Sequence, residues 1–361
     1  MASIDKRPNG NYRIRWRETP GATQKTRTFE RKKDAVRFLD HIRGDLARGM
    51  YIDPDGGQIP FQEYAEEWRA AQMHRRNTAK QVETYLRLHA YPTLGNRPLG
   101  AVRRSEIQLW VKNESAVLAP GSVEVAYRWV ASIFKAAMAD RLIPATPCIR
   151  ISLPKRERRE VVPLEVAQVE AMAEAVNRRY RPMIIFTAGM GLRPGEVFGL
   201  TTDRVDFVRR QVRVDRQLLR VTNNVPEFGP PKSDAGYRTV PMPDVVSEVV
   251  ATHLDRFRFR KYGLVFTNTY GDPLRKSTFS HQWRHAAAKA GLPDSATFHD
   301  LRHFYASLLI AKGCSIKAVQ KRLGHQSALE TLDTYSHLWP DSEDETREAV
   351  DGVFDRLGHA V

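Results

Sequence analysis

Thr297-Phe-His299-Asp-Leu-Arg302-His303, then Leu323-Gly-His325, then Thr331-Leu-Asp-Thr-Tyr335-Ser-His337 is the stretch whose reading decides the rest of the chain. A lone phenol follows a run of cationic and imidazole side chains. A tyrosine hydroxyl has a reference pKa near ~10, so it attacks usefully at neutral pH only where its developing charge is compensated. Positive neighbours supply that compensation, and they also make a phosphate site. In a helix, His299 and Arg302 stand three apart and share a face. Upstream, Ala188-Gly-Met-Gly-Leu-Arg193-Pro-Gly-Glu196 puts another arginine at a glycine-rich bend before a helix, where a guanidinium can approach a phosphate bidentately.

The composition supports a polyanionic partner. The chain has 361 residues, with 57 Lys plus Arg against 42 Asp plus Glu, a formal charge of +15. That balance favours nucleic acid, and the length suits two or three domains. The tail from residue 341 onward is instead acid-rich. Cys148 and Cys314 have no spacing partner for zinc or a redox motif and read as plain buried residues of a reducing cytosol. The N-terminus lacks an apolar signal core and no window is long and apolar enough for a membrane span, so a soluble, cytoplasmic protein is expected.

Periodicity divides the chain into three. Tyr12-Arg-Ile14-Arg-Trp16-Arg, a turn at Thr19-Pro-Gly21 and Lys25-Thr-Arg-Thr-Phe29 predict a hairpin with an arginine-rich face; Arg13, Arg15, Arg17 and Arg27 are its candidate DNA contacts. Ala35, Phe38, Leu39, Ile42 and Leu46 predict a helix covering the other face. Four helices follow over 61–73, 78–90, 104–111 and 122–139, punctuated by Pro92, Pro98, Pro120 and Pro144. Residues 144–159, rich in proline and charge, read as an exposed hinge. Beyond them helices alternate with short strands at 205–207, 211–214 and 238–240. The expected fold is multidomain: a small β-sheet plus helix module (1–55), an all-α four-helix domain (60–150), and a mainly α, mixed α+β domain with a C-terminal tail helix (160–361).

Taken together these residues resemble the tyrosine recombinase family, and more closely its phage-type integrases. Arg193 matches the first arginine motif, His299 and Arg302 the His-x-x-Arg motif, His325 the third imidazole and Tyr335 the nucleophile. Lys232, in Pro230-Pro-Lys-Ser-Asp-Ala-Gly-Tyr-Arg-Thr-Val240, matches a mobile lysine between two strands. The resemblance implies that Arg193 and Arg302 bind the scissile phosphate and stabilise its pentavalent transition state. It implies that His299 accepts or relays the nucleophile's proton, His325 hydrogen-bonds a non-bridging oxygen and Lys232 protonates the departing 5′ oxygen. Tyr335 would form a 3′-phosphotyrosyl bond with no metal and no nucleotide cofactor, and Glu196 would support an arginine or imidazole. The first domain would bind arm-type sites and the helical domain core-type sites on double-stranded DNA. A homotetramer would pass through a Holliday junction, assisted by a host DNA-bending protein and an excisionase or directionality factor.

Neighbouring residues receive plainer readings. His303 points about 100° away from Arg302 on a helix and is expected to be packing, and His337 to make a local loop hydrogen bond. Tyr237, Tyr270 and Tyr305 lack the downstream position of a nucleophile. Trp283 and Arg284 face either DNA or the core. Val350, Val353, Phe354 and Leu357 form an apolar stripe on a short helix that, by the resemblance, docks on a neighbouring protomer. A type IB topoisomerase, a chromosome-dimer or conjugative-element resolvase and a non-catalytic DNA-binding regulator are the rival readings.

Overall fold

The computed structural model describes residues 2–17, 21–49, 51–53, 55–156, 160–258, 260–339 and 343–354, and the chain divides into two compact units, 1–158 and 159–361. The first unit opens with an antiparallel sheet of β1 (Ser3–Lys6), β2 (Tyr12–Trp16) and β3 (Lys25–Phe29), followed by helix α1 (Lys32–Ala47). Strand alternation sends Ile14 and Trp16 inward, where they are fully buried with Ala35, Leu39 and Ile42 of α1. The Trp16 indole N–H donates to the Tyr51 hydroxyl at 2.8 Å, which satisfies a buried polar atom. Of the expected hairpin turn, residues 18–20 lie outside the described residues.

Two features of this sheet differ from the sequence reading. Strand β1 was not foreseen; its Asp5 accepts from Arg13 at 3.0 Å and from Arg15 at 3.2 Å, so these arginines are pinned side by side. Arg27 is also not on their face. It pairs with Ile14 across the strands, and directly opposed residues project to the same side. Its guanidinium lies 5.2 Å from the Phe38 ring of α1. Arg13 and Arg15 form the outer face, and exposed Arg17 donates to Ala22 O just beyond the strand.

The helical part comprises α2 (Phe61–Ala71), α3 (Arg76–Tyr85), a π-turn at Leu86–Ala90 leading into α4 (Tyr91–Leu94), α5 (Arg104–Glu114) and α6 (Pro120–Ala139). Val123, Ala126, Val130, Ile133 and Ala137 of α6 recur at helical spacing and are buried against Phe61, Val82, Leu86 and Trp110. Pro92 does not end the third helix as its position suggested. It lacks an N–H and would clash with the carbonyl four residues back, so the turn widens and the Tyr91 N–H reaches Leu86 O. The hinge is likewise less free than its composition suggested. Gln108 of α5 both donates to Ser152 O and accepts from its N–H, Arg104 holds Ile149 O, and Ile151 and Leu153 pack on the helical core. Residues 157–159 lie outside the described residues.

The second unit starts with α7 (Val166–Ala175), α8 (Arg181–Met190) and α9 (Pro194–Phe198). Strands β4 (Val205–Asp206), β5 (Gln211–Val214) and β8 (Arg238–Pro241) form one antiparallel sheet in the order β4-β5-β8; β6 (Gln217–Thr222) and β7 (Val225–Gly229) form a separate hairpin. Helices α10 (Asp244–Arg256), α11 (Lys276–Lys289), α12 (Asp300–Ala311), α13 (Ile316–Leu323), α14 (Ala328–Tyr335) and α15 (Glu343–Phe354) complete it. A core of Met183, Phe186, Phe198, Val212, Val240, Phe279 and Leu301 joins the sheet to the helices, and Trp283 belongs to it, 3% exposed with its indole donating to Ala296 O. A second cluster of Tyr305, Ile310, Val319, Leu323 and Tyr335 ties α12 to α13 and α14. Cys148 and Cys314 are both free and only half-buried. Of the tail stripe, Val350 and Phe354 are exposed, while the Val353 side chain and Leu357 lie outside the described residues. Among the described residues no helix is long and apolar enough to cross a membrane.

Gly191, which ends α8, adopts φ +64°, and a Cβ there would stand 2.2 Å from Cδ1 of Tyr305. Gly191→Ala therefore combines a left-handed backbone cost with overpacking, together about 2–5 kcal/mol. Denaturant unfolding should show that loss as a lower midpoint.

Candidate active site

The αL turn at Gly324 (φ +66°) that closes α13 is the point on which both predicted arginines converge. Arg302, 2% exposed, donates through Nη2 to Leu323 O at 2.7 Å and through Nη1 to Gly191 O at 2.8 Å. Arg193 donates through Nη2 to the next carbonyl, Gly324 O, at 2.9 Å. Helix termini leave carbonyls unsatisfied, and here two guanidiniums satisfy them while leaving other N–H donors of each fork uncommitted in these bonds. Burial, reinforced by the charge of Arg193, pulls the Arg302 pKa down to about 9, which still leaves it cationic at neutral pH.

Glu196 keeps Arg193 in place. As the N3 residue of α9 it accepts from the Arg193 backbone N–H at 2.9 Å and from Nη1 at 3.2 Å. Its oxygens also take both terminal nitrogens of Arg238, at 3.1 and 2.8 Å, and Arg238 donates in turn to Arg322 O. Burial works to raise the Glu196 pKa, but the hydrogen bond and charge of Arg238 and the charge of Arg193 hold it below the usual carboxylate range. Arg238 is the member of this network that the sequence reading missed; its place at the start of β8, after the Lys232 loop, was the available signal.

The imidazoles lie close enough to the arginines to feel their charge. His325, 6% exposed, meets the Thr331 hydroxyl through Nδ1 at 2.9 Å, and its ring stacks parallel to Tyr335 at 6.3 Å. With the hydroxyl donating to Nδ1, the proton sits on Nε2, where it can be offered to an acceptor. Burial and then the charge of Arg302 press the His325 pKa down to about 3. His299, at the N-cap of α12, is lowered to about 4 by burial and by His303, whose ring it meets edge-on at 4.9 Å.

Tyr335 ends α14 and is 1% exposed. Burial pushes its pKa up to about 12 against the opposing charge of Arg302. Its hydroxyl is 2.7 Å from Nδ1 of His303. That corrects the packing role expected for His303: the C-terminal end of α14, at Tyr335, meets the flank of α12 that carries His303, so turning away from Arg302 brings this imidazole to the phenol. His337 also differs from expectation, since its Nε2 bonds the distant Val161 O at 2.9 Å rather than its own loop. Tyr305 is buried beneath Gly191, and Tyr237 and Tyr270 are exposed. Arg193, His299, Arg302, His325 and Tyr335 are thus brought together. Lys232 is exposed on the β7–β8 connection, outside the buried cluster.

Comparison with known proteins identifies the family. The phage integrase family matches residues 163–341, and the phage integrase central domain matches residues 61–152. The prophage phiRv2 integrase of Mycobacterium tuberculosis is 29% identical over 86% of this chain and 84% of its own length. The integrase of Mycobacterium phage D29 is 28% identical over 74% and 72%. Among solved structures, the Tn1549 transposon integrase in complex with a circular intermediate DNA aligns with TM-score 0.71 and 23% identity, over 82% of this chain and 99% of that one. A lambda integrase tetramer bound to a Holliday junction aligns with TM-score 0.62 and 16% identity, over 91% and 96%. The two arginines on one turn, the imidazoles beside them and the phenol they surround sit within the longer of the two family matches, and the chain belongs to the phage integrase family of tyrosine-type site-specific recombinases.

Proposed function

We propose that this recombinase cuts and rejoins duplex DNA with Tyr335 as nucleophile, Arg193 and Arg302 as phosphate clamps, and His325 as donor to a non-bridging oxygen. The observation that carries the assignment is the pairing of Arg193 and Arg302 on consecutive carbonyls of one turn beside a buried phenol. Arginines fixed before substrate arrives stabilise transition-state charge without reorganising. Lys232, on its exposed loop, serves as the acid for the 5′ oxygen, and His299 lies where it can relay a proton. The phosphotyrosyl bond conserves the energy of the broken phosphodiester, so rejoining needs no cofactor.

The sheet of residues 1–55 is assigned to arm-type sites through Arg13 and Arg15, the helices of 60–150 to the core-type site, and 160–361 to catalysis. Relatives solved with DNA and as a tetramer on a Holliday junction favour a homotetramer acting on double-stranded DNA, integrating and excising mobile DNA in the cytoplasm. The exposed Val350 and Phe354 suit docking of the tail helix on a neighbouring protomer. A host bending protein and a directionality factor complete the expected partners.

A nicked suicide duplex tests the reading. Its core site would be selected by the wild-type protein from random-sequence duplexes. A covalent protein–DNA adduct mapping to Tyr335 and forming equally in chelator is expected. Supercoil relaxation without site preference would instead favour a topoisomerase.

A further inference from the structure

We propose that His303 is a catalytic residue, the immediate proton acceptor for Tyr335. This rests on the assignment of Tyr335 as nucleophile and goes beyond it, because His299 was expected to take that proton. Three observations carry it. The Nδ1 of His303 is 2.7 Å from the phenol oxygen, and among the described residues that is the hydrogen bond Tyr335 Oη makes with a side chain. His299 makes none with Tyr335 and instead meets the His303 ring edge-on at 4.9 Å, one step removed. Tyr335 is 1% exposed, so bulk water has little access to its proton.

The step balances on these groups. As the Oη–phosphorus bond forms, the phenol proton moves to Nδ1 of His303, and the phosphorus–O5′ bond breaks with its electron pair leaving on O5′, which takes a proton from Lys232. The new imidazolium then faces the negative phosphoryl group. In the reverse step a 5′ hydroxyl attacks phosphorus and gives its proton to Lys232, and His303 returns its proton to Tyr335 as the Oη–phosphorus bond breaks. Both groups disfavour ionisation in the DNA-free protein: the phenol is raised to about 12 by burial, and burial lowers His303 as well. Transfer is therefore held back until phosphate charge enters. Asp300 and Arg302 on the same helix, His299 at its N-cap, and Tyr335 and His325 across from it are the titratable or charged groups that set this balance.

The test uses full-length protein and the nicked duplex above, with the adduct followed in single turnover by DNA-bound protein. His303→Ala should slow adduct formation by roughly 100-fold or more, the usual contribution of a positioned base. His303→Asn supplies an oxygen that can hold the phenol but cannot take its proton, so it should bind DNA normally and remain slow. Replacing the bridging 5′ oxygen with sulfur makes a leaving group that needs no acid. It should rescue Lys232→Ala and leave both His303 variants slow. In the His303 variants the rate should climb steeply with pH, because without the base the phenol must ionise before it attacks, whereas a merely structural role would leave the shape of the profile unchanged. Wild-type rates in His303→Asn, or rescue of it by the sulfur substrate, would overturn the proposal. Adduct formation by Tyr335→Phe would instead overturn the nucleophile assignment, so the two failures are distinct.

Discussion

Tyr335→Phe is expected to bind its core site with wild-type affinity and to form no detectable covalent adduct, a loss of at least ~10⁴-fold, as for other enzymes stripped of a nucleophile. The substitution removes one atom. The ring stays packed among Tyr305, Ile310, Val319 and Leu323, so the helices that position Arg302 and His325 keep their places. Loss of the hydrogen bond to His303 costs about 1 kcal/mol, because Nδ1 is then left without that partner. Stability against pH gives an independent check. The folded phenol has its pKa raised to about 12, above the ~10 of an unfolded tyrosine, so its contribution is fully present below pH ~10 and is lost as pH rises from there through the folded value. Wild type should therefore lose more stability than Tyr335→Phe over that alkaline window. Equal losses, measured by denaturant unfolding, would show that the phenol is not buried in solution.

What was legible in the sequence was order and chemistry; what was not was which flank of a helix meets another. His299, Arg302, His325 and Tyr335 could be named because residue type and sequence order suffice for them. His303 could not, because a helical wheel measures its angle from Arg302 but says nothing of where the end of α14 arrives, and Arg302 itself turns inward to Gly191 O and Leu323 O. The β6–β7 hairpin escaped for a related reason. A register shift between Leu218 and Arg220 breaks the alternation on which strands are recognised. Its turn was nonetheless written plainly in Asn223-Asn224, both at positive φ (50° and 61°), the residue type that tolerates a tight hairpin turn. Arg27 illustrates the opposite error: basic composition suggested one face, whereas strand parity assigns it to the helix side.

Glu196→Ala is expected to destabilise the protein by roughly 3–5 kcal/mol, the range for breaking a buried ion pair from one side. The carboxylate is 3% exposed and its side chain and that of Arg238 are both nearly inaccessible, so water cannot take its place beside that guanidinium. Glu196→Gln keeps the shape and one acceptor and should cost less, about 1–3 kcal/mol. Because the folded carboxyl is held below its ordinary value, its contribution is present above the unfolded pKa of ~4.3 and lost as pH falls through the folded one. The stability gap between wild type and Glu196→Gln should therefore narrow in acid, and a gap independent of pH would refute the charge argument. Activity should fall with either change, by roughly 10²–10³-fold in adduct formation, since one carboxylate anchors Arg193 and also, through Arg238, the strand that follows the Lys232 loop. If Glu196 acted on Arg193 alone, adding Arg238→Met to Glu196→Gln would deepen the loss by the full effect of the single Arg238 change. A double variant little worse than Glu196→Gln is the expected result, because the two side chains form one unit and removing either disables both.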